Sequence, residues 1–416
     1  MTDARTNRWI LILAALGFFA AGAASLYVSA ADPQSPDFLF GAWRLRNVAL
    51  ASVLFVLAAA FFAAWISRSA AIAFWASLLP VLLVLVLLEG VGRMGLVDWS
   101  GLLSPERATA EGPGWSLQPN ASVAGETYQD AATRYGVPHD PIPFAFETDS
   151  YGFRNDGTDV ADIIILGDSI VLGALVPKSQ TVDSVVSEAL ARPVSQAALL
   201  GISIQRQHDM LRDAGISLEG RRVVQFFFEG NDLLDSHSYR NPAPADAFVY
   251  KERSLLKLLW APLVRLTSNP GDFASCRIGE QAHYFIWTRN SFEGRMEEFG
   301  PISEAILAFK QMVEDAGGTY ALVFVPTKYR VLHDLCAFPE RSLISDPAEQ
   351  LSDIPQIVAG WADGAGIAFL DLTEPLQSRA AEGVSPWFWG DTHWNTEGHK
   401  VAGETIARWL EADLAQ

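Results

Sequence analysis

Apolar positions fall into two regimes along the chain. In the first 90 residues they form long unbroken runs, at 9–30, 48–66 and 70–88, each close to the ~20 residues that cross a bilayer. Trp9, Trp43 and Trp75 lie in or beside these runs, at places suited to interfacial anchors. Further on, the apolar runs are short and alternate with amphipathic stretches. Ile163-Ile164-Ile165-Leu166 and Val223-Val224-Gln225-Phe226-Phe227-Phe228 read as buried strands. The pattern predicts strands at 162–166, 222–228, 320–325 and 367–371, with helices at 180–191, 203–214, 302–316, 349–363 and 396–413. Strands alternating with helices imply an α/β fold with a mainly parallel sheet, whose ligand site lies at the carboxyl ends of the strands. No internal repeat is visible.

The same pattern divides the chain. Residues 1–95 read as a membrane region with about three transmembrane helices, 96–145 as an irregular linker rich in Gly, Pro and Ser, and 146–416 as one large domain. The stretch 233–301 breaks the strand–helix rhythm and reads as an insertion. Within it, Leu255–Leu266 is apolar on more than one face. One reading is a lid or membrane-surface helix; the other is an ordinary docked helix.

Charge separates the two parts. Residues 1–95 carry six Arg and four acids, whereas the remainder carries 24 basic and 44 acidic residues, giving −18 for the chain. An exterior this acidic argues against nucleic acid and anionic lipid surfaces as electrostatic partners. Arg5 and Arg8 before the first run, and Arg68 between the second and third, place the large domain outside the cytoplasm by the positive-inside rule. Arg44 and Arg46 argue the other way. In an alternative reading Ser29-Ala30-Ala31 is a signal-peptide cleavage site, and the two remaining spans return the chain to the same outer face.

Candidate chemistry lies in two short runs. Gly167-Asp168-Ser169 follows the first strand, so Ser169 sits where a strand passes into a helix. Asp391-Thr392-His393 lies in a loop from Trp387 to Trp394, before the last helix. Serine becomes a useful nucleophile when a base takes its proton, and the base needs a third group to fix its tautomer. Ser169, His393 and Asp391 supply those parts. Val171 occupies the place of the second glycine in Gly-x-Ser-x-Gly, so an α/β-hydrolase elbow is not indicated. Two further runs, Ala197-Ala198-Leu199-Leu200 into Gly201 and the 223–228 strand into Gly230-Asn231-Asp232, bring a glycine and a carboxamide toward the same edge.

These four blocks, in this order over residues 160 to 412, resemble the SGNH (GDSL-type) hydrolase superfamily. The resemblance implies a flavodoxin-like three-layer domain with Ser169 as nucleophile, His393 as base and Asp391 as its orienting acid. It implies an oxyanion hole built from Ser169, Gly201 and Asn231. One departure stands out: the commonest spacing puts the acid three residues before the histidine, where this chain has Gly390, and the nearby acid is Asp391. Asp-x-His-Trp-Asn is similar to the variant in cell-envelope polysaccharide O-acetylation proteins. The resemblance therefore implies an esterase or O-acyltransferase acting on O-acetyl groups of envelope or secreted polysaccharide. Together with the apolar runs, it implies a bacterial inner-membrane protein with a periplasmic domain. A lipid-directed esterase and a non-catalytic glycan-binding scaffold are the alternatives. A transferase outside the cytoplasm would need a multispanning membrane partner to deliver the acyl group.

Several residues remain open at this stage. Lys328 and Tyr329 follow a strand and, with Trp394, are candidates to contact a glycan; a surface lysine in a loop is the competing explanation. Asp168 and Asp232 read as loop-fixing acceptors, and His399 as packing. His208, His237, His283 and His333 are scattered, and Cys276 and Cys336 lack finger spacing, so no metal or cofactor is called for. Cys276 and Cys336 form a disulfide or stay as two thiols; sequence does not decide.

Overall fold

A computed structural model describes residues 3–30, 45–97, 119–127, 129–135, 140–155, 161–240, 254–255, 273–286, 296–338 and 351–414. The chain divides into two units. The first comprises Met1–Glu111, Tyr135–Pro138 and Val249–Pro270, and the second comprises Gly112–Arg134, His139–Phe248 and Gly271–Gln416.

In the first unit, α1 (Asp3–Ala30), α2 (Leu45–Ile66) and α3 (Arg68–Arg93) are apolar helices. Small residues let α1 and α2 approach closely: Ala15, Ala51 and Ala58 are buried, and Gly22 lies against the Phe55 ring. Across the pair, Phe18 stacks on Phe61 and the Arg8 guanidinium donates to the carbonyl of Trp65 at the end of α2 (3.1 Å), where the helix dipole favours a cation. Arg8–Tyr27 and Arg68–Arg93 are long and apolar enough to cross a membrane. The apolar part of α2 is shorter, Leu50–Ile66, because Arg46 and Asn47 open that helix. All three apolar runs form helices, and the middle one, α2, has 22 residues. Ser254 also belongs to this unit, and its hydroxyl donates to Glu89 (2.8 Å). The rest of the Leu255–Leu266 segment lies outside the described residues.

The second unit begins with β1 (Ser122–Thr127), the short helix α4 (Asp130–Tyr135) and β2 (Ile142–Glu147), with β1 and β2 paired antiparallel. The expected linker thus holds regular structure, because alternating side chains in 142–147 give β2 one half-buried face. Next come β3 (Ile163–Gly167), α5 (Ser169–Leu172), α6 (Val182–Leu190), β4 (Val194–Ala198), α7 (Ile204–Asp213), β5 (Arg222–Phe228) and α8 (Asp232–Arg240). A hairpin of β6 (Phe273–Ile278) and β7 (Gln281–Ile286) precedes α9 (Phe299–Asp315), β8 (Thr319–Val325), α10 (Lys328–Leu332) and α11 (Ile354–Gly364). The chain closes with β9 (Ala368–Asp371), α12 (Thr373–Ala381) and α13 (Thr396–Leu414).

The main sheet is parallel throughout, in the order β4-β3-β5-β8-β9. Helices cover both faces, so strand side chains alternate between two cores rather than between core and water. Ile163, Ile165, Val224, Phe226, Val323 and Val325 enter one core with α6, α12 and α13; Ile164, Leu166, Val223, Phe227, Leu322 and Phe324 enter the other with α7, α9 and α11. This three-layer arrangement is flavodoxin-like, with its topological switch between β3 and β5, where such sheets place their ligands.

Within the interval 233–301, α8 packs against α7 and α9, and the β6–β7 hairpin belongs to the second unit. Cys276 is bonded to Cys336 (Cα–Cα 5.4 Å), and Arg277 exchanges backbone hydrogen bonds with Ala337. The bond links residues 60 apart in sequence, and closing a loop of that size in the unfolded chain stabilises the fold by about 2–4 kcal/mol. The Cys276→Ser/Cys336→Ser protein should therefore unfold at lower denaturant concentration than the oxidised parent; coincident unfolding curves would show that the bond constrains nothing.

Candidate active site

The nucleophile position is built by a tight strand-to-helix passage. A Cβ on Gly167 would lie 2.3 Å from Val171 Cγ2, so only glycine fits at the end of β3. Asp168 Oδ1 then accepts the N–H of Ile170 (2.9 Å) and caps the turn that begins at Ser169. Behind it, buried Arg154 donates to the carbonyls of Leu172, Gly173 and Val176, so the far end of α5 is also fixed.

The second half of the site is a loop, and buried polar side chains shape it. Trp387 and Trp394 pair across its base. Asn395 Nδ2 donates to the carbonyls of Ser385 (2.8 Å) and Trp387 (3.1 Å), while its Oδ1 accepts the N–H groups of Glu397 and Gly398 at the start of α13. Lys328 Nζ lies inside the loop and donates to the carbonyls of Phe388 (2.8 Å), Trp389 (2.7 Å), Asp391 (3.2 Å) and, from β7, Tyr284 (3.0 Å). The Tyr284 N–H donates in turn to the Trp389 carbonyl (3.1 Å). The disulfide-linked hairpin therefore braces this loop directly.

These supports bring the three predicted residues together. His393 Nε2 lies 2.9 Å from Ser169 Oγ, and His393 Nδ1 lies 2.6 Å from Asp391 Oδ1. Asp391 Oδ1 also accepts the backbone N–H of His393 (2.9 Å), which the two-residue spacing permits. Gly390 explains the missing acid at the commoner position: a Cβ there would lie 2.6 Å from Gln129 Oε1 and 2.8 Å from Ala132 Cβ. Gly390 instead receives Gln129 Oε1 on its N–H (3.0 Å) and the Ala132 N–H on its carbonyl (2.8 Å).

Ser169, Gly201 and Asn231 follow β3, β4 and β5, three adjacent strands with β3 in the middle. Gly201 takes φ +59°, and a Cβ built on it would meet nothing within 4 Å. Asn231 Nδ2 donates to Asp235 Oδ2 (2.8 Å). The residue after β5, Glu229, is tied to α10 by buried Arg330, whose Nε reaches both Glu229 oxygens (2.9 and 2.8 Å) and whose Nη2 donates to Ser352.

Lys328, Tyr329 and Trp394 are 2%, 1% and 1% exposed, which removes them as glycan contacts. The side chains turn inward from α10 and the loop base, where lysine is a brace and the aromatics are core. His399 is packing: its Nδ1 accepts the Val182 N–H (3.2 Å), and burial pushes its pKa down to about 3. Sequence reasoning missed Asp130 and Gln129. No motif marks them, and they lie in the stretch that read as a linker.

Electrostatics at the site favour protons. Burial pulls His393 down, but the charge and hydrogen bond of Asp391, with Asp130 and Asp168, outweigh it and raise its pKa to about 9. Burial raises Asp168, and burial with the Asp168 charge raises Asp232 well above the usual carboxylate range and Asp235 to about 7. Burial pushes Lys328 down to about 7 against the pull of Asp391 and Asp130. Asp130, Asp391 and His393 offer donor atoms within 4.8 Å of one another. The Asp391 oxygens and His393 Nδ1 are hydrogen-bonded within the site, as are both Asp130 oxygens.

A parallel α/β sheet with a serine after its first strand and an Asp-x-His loop before its last helix defines an SGNH hydrolase-like domain. Comparison with known proteins agrees: residues 290–416 match the family described as ALGX, SGNH hydrolase-like domain, acetyltransferase AlgX. No curated protein matches the chain. Among solved structures it is similar to an acetyl xylan esterase, AlAXEase, at 14% identity over 61% of this chain and 98% of that one, with a TM-score of 0.35. It is similar to a carbohydrate esterase family 2 enzyme with a carbohydrate binding domain from Corynascus thermopiles (Myceliophthora fergusii), at 13% identity over 65% and 71%, TM-score 0.35. A mutant acetyl-xylooligosaccharide esterase from Geobacillus Stearmophilus gives 11% identity over 60% and 93%, TM-score 0.33.

Two expectations follow from the site. A base must be neutral to accept a proton, so ester cleavage should rise with pH along a limb set by His393, above its ordinary 6.5 and toward about 9. The bound proton stabilises the fold most fully below pH 6.5, and that contribution is lost as pH rises through about 9. A kcat/KM limb at an unperturbed histidine value would contradict this. Lys328→Met keeps the volume but removes the ammonium that bridges four carbonyls. It should lower kcat by about 10²-fold through misplacement of the loop while far-ultraviolet dichroism is unchanged; parental kcat would contradict the bracing role.

Proposed function

We propose that this chain is a serine acyl-ester enzyme that cleaves or transfers O-acetyl groups of an envelope or secreted polysaccharide. The single observation that carries the reading is the hydrogen-bonded run from Ser169 Oγ through His393 to Asp391, at 2.9 and 2.6 Å. Ser169 Oγ attacks the acyl carbonyl as His393 Nε2 takes its proton, and the Asp391 carboxylate stabilises the imidazolium. Charge on the carbonyl oxygen is met by the backbone N–H groups of Ser169 and Gly201 and the Asn231 amide. His393 then protonates the departing alcohol, leaving an acyl group on Ser169. Water or a sugar hydroxyl, deprotonated by His393, releases that group. The same residues serve both outcomes, so the acceptor decides between esterase and transferase.

The acetyl group and polysaccharide acceptor are favoured by the Asp-x-His-Trp-Asn block and by the acetyltransferase description of the family matched at residues 290–416. Arg8–Tyr27 and Arg68–Arg93 favour a membrane-tethered protein, and three crossings from a cytoplasmic N-terminus, counting α2, would set the domain at the outer face of a bacterial inner membrane. A transferase there takes its acyl group from a multispanning membrane partner, since thioester donors are made inside the cell.

The test uses the purified full-length chain in detergent and a small activated acetyl ester. Acetate release should fall by at least about 10³-fold in Ser169→Ala, with the far-ultraviolet spectrum unchanged, because Ser169 is half-buried at the sheet edge. A folded Ser169→Ala protein with parental activity would overturn the enzyme reading and leave a binding scaffold.

A further inference from the structure

Asp130 lies outside the four blocks that carry the site and outside residues 290–416 that match the SGNH hydrolase-like family. It is nevertheless joined to the catalytic loop three times. Its N–H donates to Asp391 Oδ2 (3.0 Å), its Oδ1 accepts the Thr392 N–H (2.9 Å), and its Oδ2 accepts the Thr392 hydroxyl (2.5 Å). Gln129 and Ala132 on either side repeat the connection at Gly390. Asp391 is 1% exposed and spends Oδ1 on both the backbone and the imidazole of His393. Its other oxygen is buried too, and a buried acceptor without a donor is costly. The Asp130 N–H supplies that donor.

We infer that Asp130 is a positioning residue for the His393–Asp391 pair, fixing the Asp-x-His turn through its bonds to Asp391 and Thr392 and placing a further carboxylate beside the imidazole. The inference rests on the proposed roles of Ser169 and His393. Every charged group around the imidazole enters the balance. Asp391 faces it from its own loop, Asp130 from α4 and Asp168 from the end of β3. Lys328 of α10 acts on Asp391 and Asp130, and His399 of α13 lies within range of His393. Asp130 is thus one of three carboxylates around the imidazole and does not touch it. Donor atoms of Asp130, Asp391 and His393 lie within 4.8 Å of one another, a separation at which a charge moves a neighbour's proton affinity by one to a few decades. The strand–helix–strand segment before the sheet is, on this account, part of the catalytic unit.

The experiment compares full-length Asp130→Asn, Asp130→Glu and Asp130→Ala in detergent. One readout is the His393 imidazole titration by NMR on histidine-labelled protein, assigned with His393→Gln; the other is the pH profile of kcat/KM on a small acetyl ester. Asp130→Asn keeps the N–H to Asp391 and an acceptor for Thr392 but removes the charge. Its His393 midpoint and its kinetic limb should both fall by about one pH unit. Asp130→Glu should return both toward the parent. Asp130→Ala should add a loss in kcat of about 10-fold or more at nearly constant KM; if it fails to fold, the Asn and Glu proteins still decide. A His393 midpoint in Asp130→Asn that equals the parent's would overturn the inference. The titration needs no turnover, so a failed enzyme reading, seen as an active Ser169→Ala, remains distinguishable from a failed role for Asp130.

Discussion

One imidazole has to be held between two groups that the chain keeps far apart. Ser169 and His393 are 224 residues distant in sequence; Ser169 opens α5 just past the end of β3, and His393 lies in a loop. The sheet solves half of this problem by placing Ser169 on its central carboxyl edge with Gly167 and Asp168 shaping the turn. The other half is a loop, where no ladder of backbone hydrogen bonds defines the geometry. Fixing loop backbone costs about 1–2 kcal/mol per residue in entropy. The structure offsets that cost with side chains that bond to main-chain atoms, namely Lys328, Asn395, Gln129 and Asp130. Each buried hydrogen bond contributes about 0.5–1.5 kcal/mol net. Removing one partner costs more, since the other is left unpaired away from water.

Bracing comes from three directions in sequence. The segment 129–132 precedes the sheet, β7 belongs to a hairpin tied down by the Cys276–Cys336 bond, and Lys328 follows β8. A small shift in any of them is passed to Asp391 and His393 through backbone carbonyls rather than through the sheet. The same supports explain the spacing of the acid. With Gly390 pressed against Gln129 and Ala132, the carboxylate moves to the next position, where one oxygen reaches both the N–H and the ring of the histidine two residues on. Negative charge concentrates around that ring, which stabilises the imidazolium formed as serine gives up its proton. The same charge holds a proton on the resting base.

Much of this was legible in the sequence, and the remainder was not for physical reasons. Strands β3, β5 and β8 announce themselves as β-branched and aromatic runs because both of their faces are buried. Val194-Ser195-Gln196-Ala197-Ala198 does not, since β4 is an edge strand in which Gln196 pairs with Asn155 and Asp183 and only the small Ala197 and Ala198 enter the cores. The Ser, His and Asp positions carried motifs. Lys328 gave the opposite impression, because a lysine after a strand reads as surface and its burial depends on four carbonyls that converge only in three dimensions. Asp130 is one acid among many in a stretch without periodicity, and its partner is 262 residues away.

The central claim is that Ser169 carries the acyl group. The most direct measurement is to mix the full-length chain with an activated acetyl ester, quench in acid and examine the peptides by mass spectrometry. The account predicts one added acetyl group on the peptide containing Ser169, appearing before acetate release reaches steady state and absent in the His393→Gln protein. Acetate release without any acetyl group on that peptide, or labelling that persists unchanged when Ser169 is replaced by alanine, would contradict it.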